Sequence, residues 1–598
     1  MTKKGPLLQE RVFYKRKISL PCRSILTTIR TLLYYIAIAI LTAGCNQTDT
    51  PSGKTDSVVK NMPAGCAPAI SDKSWYTSGA KAPLFKGLEG IDLKITTGSQ
   101  EAQKYFSQGM MLSYGFNHAE AARSFFEATR LDTACAMAYW GYAYVLGPNY
   151  NAGMEEDNYQ RAYAAIQKAL SLSSKCTKKE QDLIQALTYR YAATPPADRK
   201  PLDIAFSGAM KKVYNKYPSD PDVSAIYVES LMDQHPWDLY DKKTRQPKPW
   251  TGEIVTVLER LKKLHPHHPG APHFYIHAVE ASKVPGRGLE SARLLTTLVP
   301  GSGHLIHMPS HIYIRTGDYH LGSLVNIAAV NVDSSYITAC HAQGAYPLAY
   351  YPHNYHFLAA TATLEGNSKL AWTAARKVQE NTAQDIMKLP GWGTLQHYYT
   401  IPYYVGVKLE MWDSILAIKP PEETLIYPRA VWHYARGMAY LGKDRVPEAE
   451  HELSQLISLS KDTILKKMTI WDINSMNEIV QIAVNVLSAN VYHKKKESDQ
   501  AIDLLTRAVE IEDQLNYNEP PDWFFSVRHY LGSVLLATEK YAEAESVYLR
   551  DLSIYPRNGW ALRGLYQALQ KQGKDKQARD VKKQFDKAWA YADISNPL

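Results

Sequence analysis

From about residue 101 the apolar positions recur at helical rather than strand spacing, in pairs of short runs separated by turn residues. Take Gly109 as the small residue of a first helix: Leu112, Ala121, Phe125 and Ala128 follow at offsets of 3, 12, 16 and 19. Gly437 is followed at the same offsets by Tyr440, Ala449, Leu453 and Leu456, and Gly532 by Leu535, Ala544, Tyr548 and Asp551, with Pro556 at offset 24. A small residue in each of two antiparallel helices lets them cross closely, and large residues fill the space beside the crossing. One such hairpin cannot bury its apolar stripe alone, so neighbours must stack. The fold class expected is all-α, an α-α superhelical solenoid of helical hairpins.

This grid resembles the tetratricopeptide repeat, with small residues at positions 8 and 20, large ones at 11 and 24, and Pro at 32 of a 34-residue period. The array is irregular between about 176 and 420. The segment Trp237 to Pro249 breaks the period with proline and clustered charge, and reads as a loop projecting from the solenoid. A second irregular stretch, Asn381 to Trp392, precedes a helix at 394–410. Pro420-Pro421 divides the chain into an irregular N-terminal array, 101–420, and a cleaner C-terminal array, 421–598. Several phrases resemble a family of bacterial tetratricopeptide proteins: FNHAEAARSF (116–125), CAMAYWGYAYVLGPN (135–149), PHFYIHAVEAS (272–282), HMPSHIYIRTGDY (307–319), YYPHNYHFL (350–358) and EPPDW (519–523). The resemblance covers most of 101–598 and implies fold, not chemistry.

The N-terminus reads as a targeting segment. A basic leader precedes an apolar run from Leu32 to Leu41, too short to span a bilayer and fitting a signal peptide. Thr42-Ala43-Gly44-Cys45 then resembles the lipobox of bacterial lipoproteins, with Thr42 standing where leucine is usual. The resemblance implies a signal peptide over 1–44, lipidation of Cys45, and a protein of the cell envelope anchored to a bacterial membrane. Residues 45–100, rich in Ser, Thr, Gly, Lys and Pro, read as a flexible tether.

The formal charge of +9 belongs mostly to that leader: residues 1–44 hold eight basic residues against Glu10 alone, a net +7, which leaves +2 for the rest. A nearly neutral body has no electrostatic case for nucleic acid as a partner. Beyond the leader stand Cys66, Cys135, Cys176 and Cys340, with no C-x-x-C pair, so no zinc-knuckle or dithiol motif is present.

The histidines carry the chemistry. Gly317-Asp318-Tyr319 fits the inter-helix turn of a repeat, and counting back places His307 at position 5 and His311 at position 9. Thirty-four residues upstream the same positions are His273 and His277, with Glu280 at position 12. The turn Gly366-Asn367 places His353 at position 2 and His356 at position 5, and a looser register puts His397 at position 2 of the following unit. At about 100° per residue, positions 2, 5, 9 and 12 share one sector, distinct from the one that packs inside the hairpin. In the repeat that sector lines the concave groove. Two His at i and i+4 share a helix face and can bind one ion, and helices packed about 8–10 Å apart let neighbours contribute. Imidazoles with one carboxylate suit zinc, copper or iron.

Other chemistries fail on their residues. Gly53-Lys54-Thr55 lacks the earlier glycine of a phosphate loop, since position 48 is Thr. His451-Glu452 lacks the second His of a zinc-protease helix, and Gly301-Ser302-Gly303 is not a nucleophile elbow. Three functions remain: the preferred one, a lipid-anchored scaffold binding a peptide, protein or small ligand in its groove; a metal-dependent enzyme using the site at 273–356; or an assembly element whose groove packs against a partner lipoprotein.

Overall fold

The computed structural model describes residues 71–594 except Asp92 and 341–345, and no side chain of 338–340. Residues Ala67–Leu598 form one compact unit. The leader, Cys45 and Cys66 lie outside the described residues.

Antiparallel helices follow one another along this unit. Gln100–Tyr114 packs on His118–Leu131, Ala136–Val145 on Asn158–Leu172, and the pattern continues to Gly559–Lys571 on Asp575–Ala588. Among the described residues the only strands, Thr469–Ile470 and Asn474–Ser475, form a two-residue antiparallel ladder. The chain is an all-α solenoid of tetratricopeptide-type hairpins. The grid has the cause the sequence implied. A Cβ on Gly109 would stand 2.7 Å from the Phe125 ring, and one on Gly532 would stand 2.4 Å from Tyr548. Gly437 departs from the scheme, because its close neighbour is Leu487 of the next hairpin, at 2.5 Å.

Three boundaries differ from the sequence reading. The tether does not reach residue 100. Residues 71–99 lie along the first hairpins, with Leu88 and Leu93 buried, Thr96 N donating to Glu180 at 2.6 Å, and Gly301 N donating to Gly87 O at 3.0 Å. Polar composition masked a segment whose backbone is satisfied by side chains of the solenoid. The stretch from Trp237 does not simply project, since Leu239 and Tyr240 are buried and Tyr240 OH donates to Ala278 O at 2.7 Å. Nor is 421 a division. Helices Gly393–Lys408 and Ile426–Gly442 pack across Pro420-Pro421, whereas the apolar core separates into two clusters that meet between Ile314 and Tyr350.

The last hairpins fold back onto the middle of the chain. Tyr319 OH donates to Pro556 O at 2.9 Å, Trp560 Nε1 to Thr363 O at 2.9 Å, and the Ser368 amide to Asp593 at 2.6 Å. The seam between the two cores runs through the histidine-bearing helices.

Candidate metal centre

Four stretches of backbone aim the histidines inward. His273, His277 and Glu280 stand on Gly270–Glu280. His307 closes the short helix Gly303–His307, and His311 stands on Pro309–Thr316. Pro309 has no amide hydrogen, so it ends one helix and starts the next at Met308. His353 and His356 stand on Tyr351–Leu364.

These side chains do not line an open groove. His273, His277, Glu280, His307, His311 and His356 are all buried, and His353 is half-buried. Cover comes from Trp237, Trp471 and the irregular segment at 515–525, each of which borders a small cavity beside His311 and His353 or the neighbouring one beside His277.

Ligand atoms converge in three sets, each spanning no more than 4.8 Å, the last two sharing His311: His273, His277 and His304; His307, His311 and His353; and Glu280, His311 and Glu519. His304 Nε2 lies 3.2 Å from His273 Nε2, and His307 Nε2 lies 3.0 Å from His311 Nε2. Two residues escaped the sequence reading. His304 was within reach of it: counting from His307 at position 5 puts His304 at position 2, in the same sector. Glu519 was not, because it comes from an irregular segment far along the chain, although it opens the EPPDW phrase.

His356 falls outside these sets. Its ring stacks on Phe524 at 4.8 Å and lies 5.7 Å from His397. The expectation that it joins His353 is thus not met: although the two share a helix face, His356 packs on Phe524 and faces His397 of the next hairpin. His397 has Tyr427 OH at 2.8 Å from its Nδ1.

Tautomers follow from the outer partners. His273 Nδ1 is 2.6 Å from Tyr114 O, His277 Nδ1 is 2.9 Å from Glu280 Oε1, and His307 Nδ1 is 2.7 Å from Asn326 Oδ1. Asn326 is itself oriented, since its Nδ2 donates to Gly322 O at 2.7 Å. Each Nδ1–H is thus donated to an oxygen, leaving each Nε2 with a lone pair pointing inward. This is the arrangement of metal-ligating histidines, whose far nitrogen is fixed by a carbonyl or carboxylate.

Electrostatics point the same way. Burial pushes His273, His304, His307 and His353 well below the usual imidazole range, so they are neutral. His311 is the exception. Burial opposes its charge, but Glu280 and then Glu519 overturn that and raise it to about 9. Its Nδ1 lies 2.6 Å from Glu280 Oε2 and 3.1 Å from Glu519 Oε2, yet none of these atoms is aligned for a hydrogen bond. His277 Nε2 and His304 Nδ1 are likewise buried without partners. Each of these last two orphans costs about 1–3 kcal/mol. One cation among them would satisfy lone pairs and carboxylates together. Without it, a proton on His311 supplies the positive charge that the two carboxylates require.

The segment bearing Glu519 is itself held. Asn516 N donates to Asn474 Oδ1 at 2.8 Å, Asn474 Nδ2 to Asp522 at 2.7 Å, and Asn518 Nδ2 to Asp522 at 2.8 Å. The resembling phrases gather here as well. Phe116, His277, His311, His353 and Glu519 come from five of the six, and each lies in these three sets or, for Phe116, with its ring 4.6 Å from that of His273.

No family model and no curated protein matches the chain. Among solved structures the chain is similar to a human IFIT1 dimer with m7Gppp-AAAA, at 14% identity over 84% of this chain and 92% of that one, TM-score 0.30. It is similar to the APC/C hetero-tetramer Cut9-Hcn1 at 15% identity over 81% and 79%, TM-score 0.28, and to Ypp1 at 9% identity over 82% and 77%, TM-score 0.39.

Proposed function

We propose that this solenoid is a metalloprotein, holding one or two zinc, copper or iron ions at its inner seam and presenting them to a small ligand. The observation that carries the reading is the inward set of Nε2 lone pairs on His273, His277 and His307, each fixed by an oxygen behind the ring. His304, His311 and His353 complete two three-histidine sets, and Glu280 and Glu519 supply negative charge between them. Eight ligands exceed the needs of one tetrahedral ion, which supports a pair of ions. A binding role is common to this reading and to a scaffold. The closed setting favours a small molecule over a peptide laid along a groove, and it is the setting that a metal-dependent enzyme needs to exclude bulk water.

The test is metal content. Protein from residue 67 onward, made without a histidine tag and grown with each metal supplied, is expected to retain zinc, copper or iron stoichiometrically. His307→Ala with His311→Ala should lose at least half of it. A parent protein free of metal under every supply would end this reading.

Export and lipid anchoring are proposed from the leader and Cys45. Cells fed radiolabelled fatty acid should label the parent and not Cys45→Ala. Equal label in both, or none, would remove the anchor.

A further inference from the structure

Beside the histidine cluster, and reaching Glu519, lies a cavity of about 660 Å³. Its mouth carries the exposed cations Lys242, Lys243, Lys283 and Arg550. The carboxylates of its wall are mostly answered. Arg528 stands 2.6 Å from Asp513 and 3.7 Å from Glu512, and Asp522 accepts from Asn474 and Asn518.

Two guanidinium groups are not answered in the same way. Arg245 and Arg315 both lie against the Tyr517 ring, with Cζ 4.7 Å and 5.1 Å from its centroid. Arg315 donates to Glu280 O at 2.8 Å and approaches Glu519 no nearer than 3.9 Å. Arg245 has no carboxylate within ion-pair distance among the described residues, and its one hydrogen bond, to Ala281 O, is long at 3.5 Å. Burial, and then the neighbouring charge of Arg315, hold Arg245 below its usual range.

The backbone is bent to place Arg245 there. Its φ of 55° is in the left-handed region, which a residue with a Cβ disfavours. A turn closed on Asp241 imposes it, with Arg245 N donating to Asp241 O at 2.9 Å and Thr244 N to Asp241 Oδ1 at 2.7 Å.

We propose that this cavity seats a small organic anion, its carboxylate or phosphate group held between Arg245 and Arg315, with the rest of the molecule directed past Tyr517 to Glu519 and His311. A planar guanidinium pair suits either group through paired N–H donors. The role of this anion as the ligand presented to the metal rests on the metalloprotein reading. The anion site itself does not.

The experiment titrates the metal-loaded chain, from residue 67 onward, with succinate and with inorganic phosphate by calorimetry, alongside Arg245→Gln and Arg245→Lys. At least one probe should bind once per chain. Arg245→Gln should weaken it at least tenfold, Arg245→Lys should recover part of the loss, and metal content should be the same in all three proteins. Succinate alone binding identifies a carboxylate ligand, and phosphate alone a phosphorylated one. Absence of binding by both probes, or equal binding by Arg245→Gln, overturns the proposal while leaving the metal reading intact. Arg245-dependent binding in a chain that carries no metal sustains the anion site and removes the metal reading.

Discussion

At the scale of single residues, the molecule is set by close approaches that admit no substitution and by polar atoms that ask for a partner. Gly109 belongs to the first kind. An added methyl would meet the Phe125 ring at 2.7 Å, inside van der Waals contact, so Gly109→Ala should lower stability by about 1–3 kcal/mol. Gly208, exposed in Lys200–Lys216 with nothing near its missing Cβ, is the control. Gly208→Ala should raise stability by about 0.5–1 kcal/mol, because glycine forfeits more chain entropy on folding. Denaturant midpoints read both, and shifts of the same sign would contradict the assignment of the crossing. The histidines belong to the second kind. Their inward phase was readable from the repeat register alone, His304 included. Their depth was not, since nothing local distinguishes a residue on a solvated inner wall from one later covered by distant chain.

At the scale of elements, legibility follows periodicity. The hairpins at 100–131 and 528–554 stand where the small and large residues placed them, because each crossing is decided by contacts within a few dozen residues; the one at 426–459 also stands in place, although Gly437 packs on Leu487 of the next hairpin. Three elements without a period were misjudged or unseen. Residues 71–99 look like tether by composition, yet the Thr96 amide and hydroxyl are both taken by Glu180 and the Phe85 amide by Gln108. The stretch from Trp237 carries charge that looks solvated, but its strained turn places Arg245 over a cavity. The segment at 515–525 brings Glu519 to the cluster through a network of asparagine side chains whose partners lie some forty residues earlier, from Ile473 and Asn474. For the first and third the deciding hydrogen bonds join parts of the chain distant in sequence; for the second the turn is local, and what the sequence hides is the docking of Tyr240 on Ala278.

At the scale of the whole molecule, the return of the last hairpins onto the middle turns an array into a closed body. Stability of an open solenoid is roughly a sum over neighbouring repeats, and such an array tolerates truncation at a hairpin boundary. This chain should not. A version ending at residue 420 lacks Trp471, Glu519 and Trp560, which cover the cluster, charge it, or bond to Thr363. It is expected to retain less than half the parent's metal and to unfold at a clearly lower denaturant concentration. A truncated chain with the parent's metal content would show that the inner seam is complete without its cover. The late arrival of Glu519 also fixes an order of events. As the chain emerges from its N-terminus, six imidazoles and one carboxylate come into being well before the segment that seals them. On the metalloprotein reading, an ion captured in that interval would sit in an unfinished cage and still exchange with its surroundings. One present when Trp471 and the 515–525 segment close over the cluster would be held there, so the metal would be chosen by whatever compartment the chain occupies at that moment.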